Sequence, residues 1–201
     1  MNFKGIKGEK NRKEAEAQLS EKEKEIISSI IIAAEKELPS QLRKIQGDAS
    51  EAGLIKFVQP IINLDDVRST YPTHSFKGTD GKPQDAMIPF SSEIKFNMYI
   101  RDMRERKSSD KLNTPLMLVM KGAPERIISR CSKILIEGEE IDINEDILNE
   151  IEFMNTSLGK MGERVLAVAR YNLEPERYGM DYQFDTKNWK QWKDVLSYDE
   201  A

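Results

Sequence analysis

The stretch Leu116–Leu135, LMLVMKGAPERIISRCSKIL, decides how the rest of the chain is read. Pro115 to Met120 is a short, continuously apolar run, the pattern of a central strand buried on both faces. It ends abruptly in Lys121-Gly122-Ala123-Pro124-Glu125, and a helical pattern follows from Pro124 to Cys131. Proline suits the first turn of a helix, where its missing N–H would have had no partner. Gly122 carries no side chain to keep another group away from the backbone. The junction is either a plain strand-to-helix turn or a place where something negatively charged can approach, with Lys121 at its rim.

The flanking chain supplies strands and helices in mixed order. Lys95–Arg101, KFNMYIR, alternates as a half-buried strand with Phe96, Met98 and Ile100 on one face. Ala86–Phe90 is a candidate short strand, and Val165–Tyr171 is another strand. Lys133–Ile143 reads as a hairpin turning near Gly138, and Asn144–Met161 as a long helix capped by Asn144 and bracketed at its end by Gly159 and Gly162. The segment TYPTHSFKGTDGKPQDAMIPF has loop and hairpin chemistry. Upstream, GDASEAGLIKFVQPI predicts a helix capped by Asp48 or Ser50, with Glu51 in its first turn and Pro60 as its stop. An apolar stripe at Ile26, Ile27, Ile30, Ile31 and Ala34 predicts another helix from about Glu21 to before Pro39. From Leu173 on, the chain is polar with scattered aromatics: Tyr178, Tyr182, Phe184, Trp189 and Trp192. Helices intermixed with hairpins favour an α+β fold with an antiparallel sheet over a doubly wound parallel one.

Composition narrows the function. The 201 residues are 38% apolar and 33% charged, which suits a soluble globular chain of one large domain, with two small ones as the alternative. A net charge of −4 offers no electrostatic case for nucleic-acid binding. No stretch has the roughly 18 apolar residues of a membrane span. The single cysteine, Cys131, forms no internal disulfide, and the single histidine, His74, sits in a polar, proline-flanked loop. Walker-type, GxGxxG and GxSxG motifs are missing from the sequence. The acidic pairs Asp65-Asp66 and Glu139-Glu140 read as solvated turns, so no metal site is expected. What remains are Phe90, Lys95, Lys121 and Arg164 near strand ends. Each alone has a plain structural reading, as core aromatic, exposed lysine or surface ion pair. Together they are the parts of a nucleotide site, in which a base stacks on an aromatic ring and cationic groups meet phosphate.

At this point the residues match a known family. LVMKGAPERIISRCSKIL resembles the nucleotide-binding (N) domain signature of P-type cation-transporting ATPases. GDASEAGLIKF (47–57), IPFSSEIKFNMYI (88–100), GERVLAVARYNL (162–173) and YQFDT (182–186) resemble other N-domain segments in the right order. The wording is most similar to the sodium/potassium- and proton/potassium-pump subclass. The resemblance implies a twisted antiparallel sheet flanked by helices, with a flexible charged segment at 1–20, the nucleotide-binding domain at 21–186 and a tail at 187–201. It implies that Phe90 stacks on adenine and that Glu51 contacts the adenine edge. Lys95 and Lys121 would line the pocket, Gly122 would let the ligand approach, and Arg164 would reach ribose or phosphates. Asp48 and Ser50 are secondary candidates.

The resemblance also implies what lies elsewhere. The DKTGT motif of the phosphorylated aspartate and the TGDGVND-type magnesium segment do not occur in this sequence. The chain is expected to be an excised, monomeric cytoplasmic domain of an integral membrane pump, holding no catalytic residue of its own. ATP would be its ligand, the phosphorylation and actuator domains of the same pump its partners, and Mg2+ a cofactor of the parent only. The alternative is a non-enzymatic α+β interaction domain whose nucleotide pocket is unused.

Overall fold

The computed structural model describes residues 49–78, 80–104 and 114–184. In chain order the elements are helices α1 (Ala49–Val58) and α2 (Leu64–Thr70), then strands β1 (Ser75–Lys77), β2 (Pro83–Asp85), β3 (Met87–Ile88), β4 (Phe96–Asp102) and β5 (Leu116–Gly122). Helix α3 (Pro124–Ile128), strands β6 (Lys133–Ile136) and β7 (Glu139–Asp142), helix α4 (Glu145–Lys160) and strand β8 (Ala167–Asn172) follow. Every strand pairing is antiparallel, so the fold is α+β as expected. The expected charged segment at 1–20, the helix from Glu21, the Asp48 cap and the Trp189/Trp192 tail lie outside the described residues. The chain divides into two compact units, Met1–Tyr71 and Pro72–Ala201.

In the first unit, α1 begins at Ala49, so Ser50 lies inside the helix and is not its cap, while Glu51 is in the first turn. The negative carboxylate there meets the positive end of the helix dipole. The helix ends at Val58, two residues before Pro60, whose ring cannot continue it. Helix α2 went unforeseen. The Asn63 side chain caps it by accepting from the Asp65 N–H at 3.1 Å, and Asp65 and Asp66 occupy its first turn. The signal was present: an Asn cap followed by two acids.

In the second unit, a four-stranded sheet in the order β3-β4-β5-β8 carries the core. All seven residues of β5 are buried, and it pairs with β4 on one side and β8 on the other, the central position its apolar run predicts. Phe96, Met98 and Ile100 of β4 join Leu116, Leu118 and Met120 of β5 in the core cluster. Full burial of each such side chain is worth about 1.5–3 kcal/mol. Several expectations need correction in this unit, three of them in the sheet and the segment after it. Strand β4 is not half-buried, because Asn97, Tyr99 and Arg101 on its second face are buried too. Lys95 lies before the strand, at φ 61°. Leu173, Tyr178 and Phe184 are not a polar tail but core residues, with Phe184 edge-on to Phe76 and Tyr182.

Local chemistry sets the remaining turns. Glu137 (φ 50°) and Gly138 (φ 82°) make the β6–β7 turn, since a tight hairpin twisted like its strands needs positive φ at both central residues. Helix α4 starts with the Asn144 side chain accepting from the Ile147 N–H at 2.9 Å. It ends with Gly162 at φ 82°, whose N–H reaches the Gly159 carbonyl while the Glu163 N–H reaches that of Leu158, each at 3.0 Å. Helix α3 stops at Ile128, short of the predicted Cys131, although the Cys131 thiol still donates to the Ile127 carbonyl at 3.3 Å.

His74 is not an open loop residue either. It is 4% exposed and stands edge-on to the Phe184 ring. Its N–H donates to the Ile100 carbonyl and its carbonyl accepts from Ala86, both at 2.8 Å, which ties the β1–β2 hairpin to the sheet. Burial pushes the imidazole below its ordinary value; the Asp102 carboxylate raises it by less, and the Arg104 guanidinium lowers it further. The folded state therefore binds this proton less readily than the unfolded one. Its stability is full above about pH 6.5 and declines as pH falls below that value. The melting temperature is expected to drop between pH 7.5 and 5.5, and His74→Gln is expected to flatten that drop. Equal slopes in both proteins, followed by circular dichroism, would remove His74 as the cause.

Candidate functional site

Antiparallel pairing gathers the candidate residues at one end of the sheet. Phe96, Gly122 and Ala167 stand opposite one another at the start of β4, the end of β5 and the start of β8. Lys95 immediately precedes Phe96, Lys121 immediately precedes Gly122, and Arg164 lies three residues before Ala167. Phe90 comes two residues after Ile88, the end of β3, and Ile88 pairs with Met98 near the start of β4. The chain segments holding Phe90, Lys95, Lys121, Gly122 and Arg164 thus converge on one sheet end. Glu51 and Ser50 belong to the first unit, in the first turn of α1, and Asp48 lies outside the described residues.

Each side chain is held by its local geometry. Phe90 is 58% exposed, unusual for an aromatic next to a buried strand. Between Phe90 and Lys95 the chain makes a tight turn. The Lys95 N–H donates to the Ser91 carbonyl at 2.8 Å, and the Ile94 N–H reaches the Ser91 hydroxyl at 3.4 Å. That turn closes with Lys95 in the left-handed region, which costs a non-glycine residue about 1 kcal/mol or more. The Lys95 carbonyl then accepts from the Ala123 N–H at 3.0 Å. The Lys95 ammonium lies 3.7 Å from the Glu125 carboxylate at the solvent boundary. Arg164 is exposed.

Two placements differ from expectation. Lys121 is not at the rim: it is 4% exposed, because its position on β5 faces Asn97 of β4 and Val168 of β8 on the sheet's second, buried face. Gly122 has a packing reason to be glycine. A Cβ there would lie 2.4 Å from the Lys95 carbonyl oxygen and 2.6 Å from the Phe96 Cα, so neighbouring backbone fills the space.

Asn97 is the residue that sequence reasoning missed. It is 1% exposed and sits cross-strand from Lys121. Neither its Nδ2 nor its Oδ1 has a hydrogen-bond partner among the described residues. A buried amide left this way costs about 1–3 kcal/mol per group, so such positions are kept for a reason. The hint was a polar residue on the alternate face of an otherwise apolar strand, KFNMYI.

The described domain is α+β, with aromatic, ammonium and guanidinium groups near one end of its sheet. The chain belongs to the P-type ATPase N-domain family: the family described as "P-type ATPase, cytoplasmic domain N" matches residues 22–197. The sodium/potassium-transporting ATPase subunit alpha-2 of Bos taurus is 33% identical over 158 residues, 79% of this chain and 14% of that protein. The alpha-2 subunit of Homo sapiens gives the same figures. The alpha-1 subunit of Anguilla anguilla is 32% identical over 160 residues, again 79% of this chain and 14% of the relative. The similarity to sodium/potassium pumps agrees with the motif wording. Among the described residues no helix is long and apolar enough to cross a membrane.

Gly122→Ala tests the backbone contact. Gly122 is paired with Phe96 on one side and Ala167 on the other, so the extra methyl would meet the backbone of Lys95 and Phe96. A loss of about 1–3 kcal/mol or more is expected by urea unfolding. An unchanged midpoint would show that the β4–β5 end opens easily.

Proposed function

We propose that this domain binds ATP at the Phe90 end of its sheet and, within a cation-pumping parent enzyme, delivers it to an aspartate of a separate phosphorylation domain. The observation that carries this reading is the convergence of an exposed aromatic with Lys95, Lys121 and Arg164 at one sheet end. Phe90 offers an open ring face for adenine. Buried Lys121 and Asn97 supply a fixed cation and an amide with donor and acceptor capacity, suited to a base edge. Such groups are already desolvated, so their placement costs nothing further when a ligand arrives. Lys95 and Arg164, at the exposed side, meet the ribose and phosphates. Glu51, and secondarily Ser50 and Asp48, are kept as ATP-binding candidates on the family resemblance alone.

The nucleotide-binding domain is assigned to residues 21–186, with the phosphorylation and actuator domains of the parent as its partners. Phosphoryl transfer needs nucleophile, metal and positioning groups together. The aspartate motif is missing from this sequence, so the chain alone holds ATP without turning it over. Magnesium belongs to the parent's chemistry. The described residues hold no cluster of three or more His, Cys, Asp or Glu, and no residue of this chain is assigned to it. Domain closure in the parent would couple the transfer to ion movement.

ATP titration followed by NMR is expected to give a dissociation constant of about 0.1 to several mM, equivalent to roughly −3 to −5.5 kcal/mol. Shifts are expected at Phe90, Lys95, Lys121 and Arg164, with little demand for magnesium. Phe90→Ala removes stacking worth about 1–3 kcal/mol and should push binding beyond detection at about 10 mM. Its stability should change by less than about 1 kcal/mol, because the ring is largely exposed. Unshifted signals in the wild-type domain at about 10 mM ATP would sink the nucleotide reading.

A further inference from the structure

We propose that Glu125 is a brake on the phosphate end of the ligand, a positioning residue acting through Lys95; this rests on the nucleotide reading above. The backbone of Lys95 has no freedom to respond to a ligand. Its N–H is held by Ser91, its carbonyl by the Ala123 N–H, and its φ is left-handed. Only its side chain can move, and that ammonium already faces Glu125 Oε1 at 3.7 Å. Glu125 stands in the first turn of α3, on the element that the Ala123 contact ties to Lys95. The two side chains are 51% and 56% exposed, so the pair is wet and exchangeable.

A phosphate that approaches Lys95 must displace this carboxylate or lie beside it, and like charges repel at that range. An uncharged nucleoside meets no such cost. Glu125 therefore weakens binding selectively for charged ligands, leaving the base as the anchor and the phosphate chain loosely held. That suits a domain that passes its nucleotide's terminal phosphate to another. For a pair this exposed the effect is modest, about two- to fivefold in affinity.

The test compares wild type and Glu125→Gln by NMR titration with ATP and with adenosine, at low salt and at about 0.5 M salt, where the Debye length shrinks to a few ångströms. The variant is expected to bind ATP about two- to fivefold more tightly and adenosine equally. High salt should shrink the gain, and Lys95→Gln in the same background should abolish it, which a merely structural role for Glu125 would not produce. Glu125→Ala provides a second neutral variant should the first fold poorly. ATP binding that is unchanged or weaker in the variants, or a gain that survives the Lys95 change, overturns the brake while the nucleotide reading stands. A wild-type domain that binds neither ligand overturns both.

Discussion

The close approach of β4 and β5 at Gly122 is the constraint on which the candidate site depends. With no Cβ at Gly122, the backbone at Lys95 and Phe96 comes within a distance that any side chain would block. The Ala123 N–H then reaches the Lys95 carbonyl at 3.0 Å and joins the start of β4 to the start of α3. Phe96 drops into the core while Lys95, one residue earlier, turns out in a left-handed conformation. The same contact sets where Pro124 can begin the helix, and so where Glu125 stands relative to Lys95. One missing methyl thus governs two strands, a helix start and an ion pair.

The sheet's two faces divide the work. One face holds Phe96, Met98, Ile100, Leu116, Leu118 and Met120, which exclude water and supply stability. On the other, Asn97, Tyr99 and Arg101 stand opposite Lys121, Val119 and Met117. Polar groups there need partners, and some have them inside the domain. The Arg101 guanidinium donates to the Thr73 hydroxyl at 2.8 Å and lies 4.6 Å from the Tyr99 ring centre. The Asn97 amide lacks such a partner among the described residues, near the end of the sheet where the Phe90 ring stands exposed. Natural cores rarely keep an uncompensated amide, and this one stands cross-strand from Lys121.

Much of this was legible from local pattern. The continuously apolar LMLVM run predicted a central strand because only a strand covered on both faces needs no polar alternation. Asn144 and Gly162 marked the two ends of α4 because unpaired helix-end groups call for those side chains and that φ. Local pattern failed where burial came from distant chain. KFNMYIR alternates and reads as half-exposed, yet its second face is covered. His74, Tyr178 and Phe184 sit in polar surroundings in the sequence and in apolar ones in the fold. Helix α2 was missed because seven residues are too few for a hydrophobic period to stand out.

For the site, the sequence by itself determined the parts: an aromatic after a proline, two lysines and an arginine near predicted strand ends, and the order of segments that marks the family. Spacing along a chain carries no information on which strand ends meet, so convergence was decided only by antiparallel pairing of β4, β5 and β8. Tertiary structure alone also decided that Lys121 is buried and Lys95 exposed, although both are lysines beside strand ends. The physical reason is burial, which depends on what covers a face. Neighbours far away in sequence supply that cover, and no local window contains them.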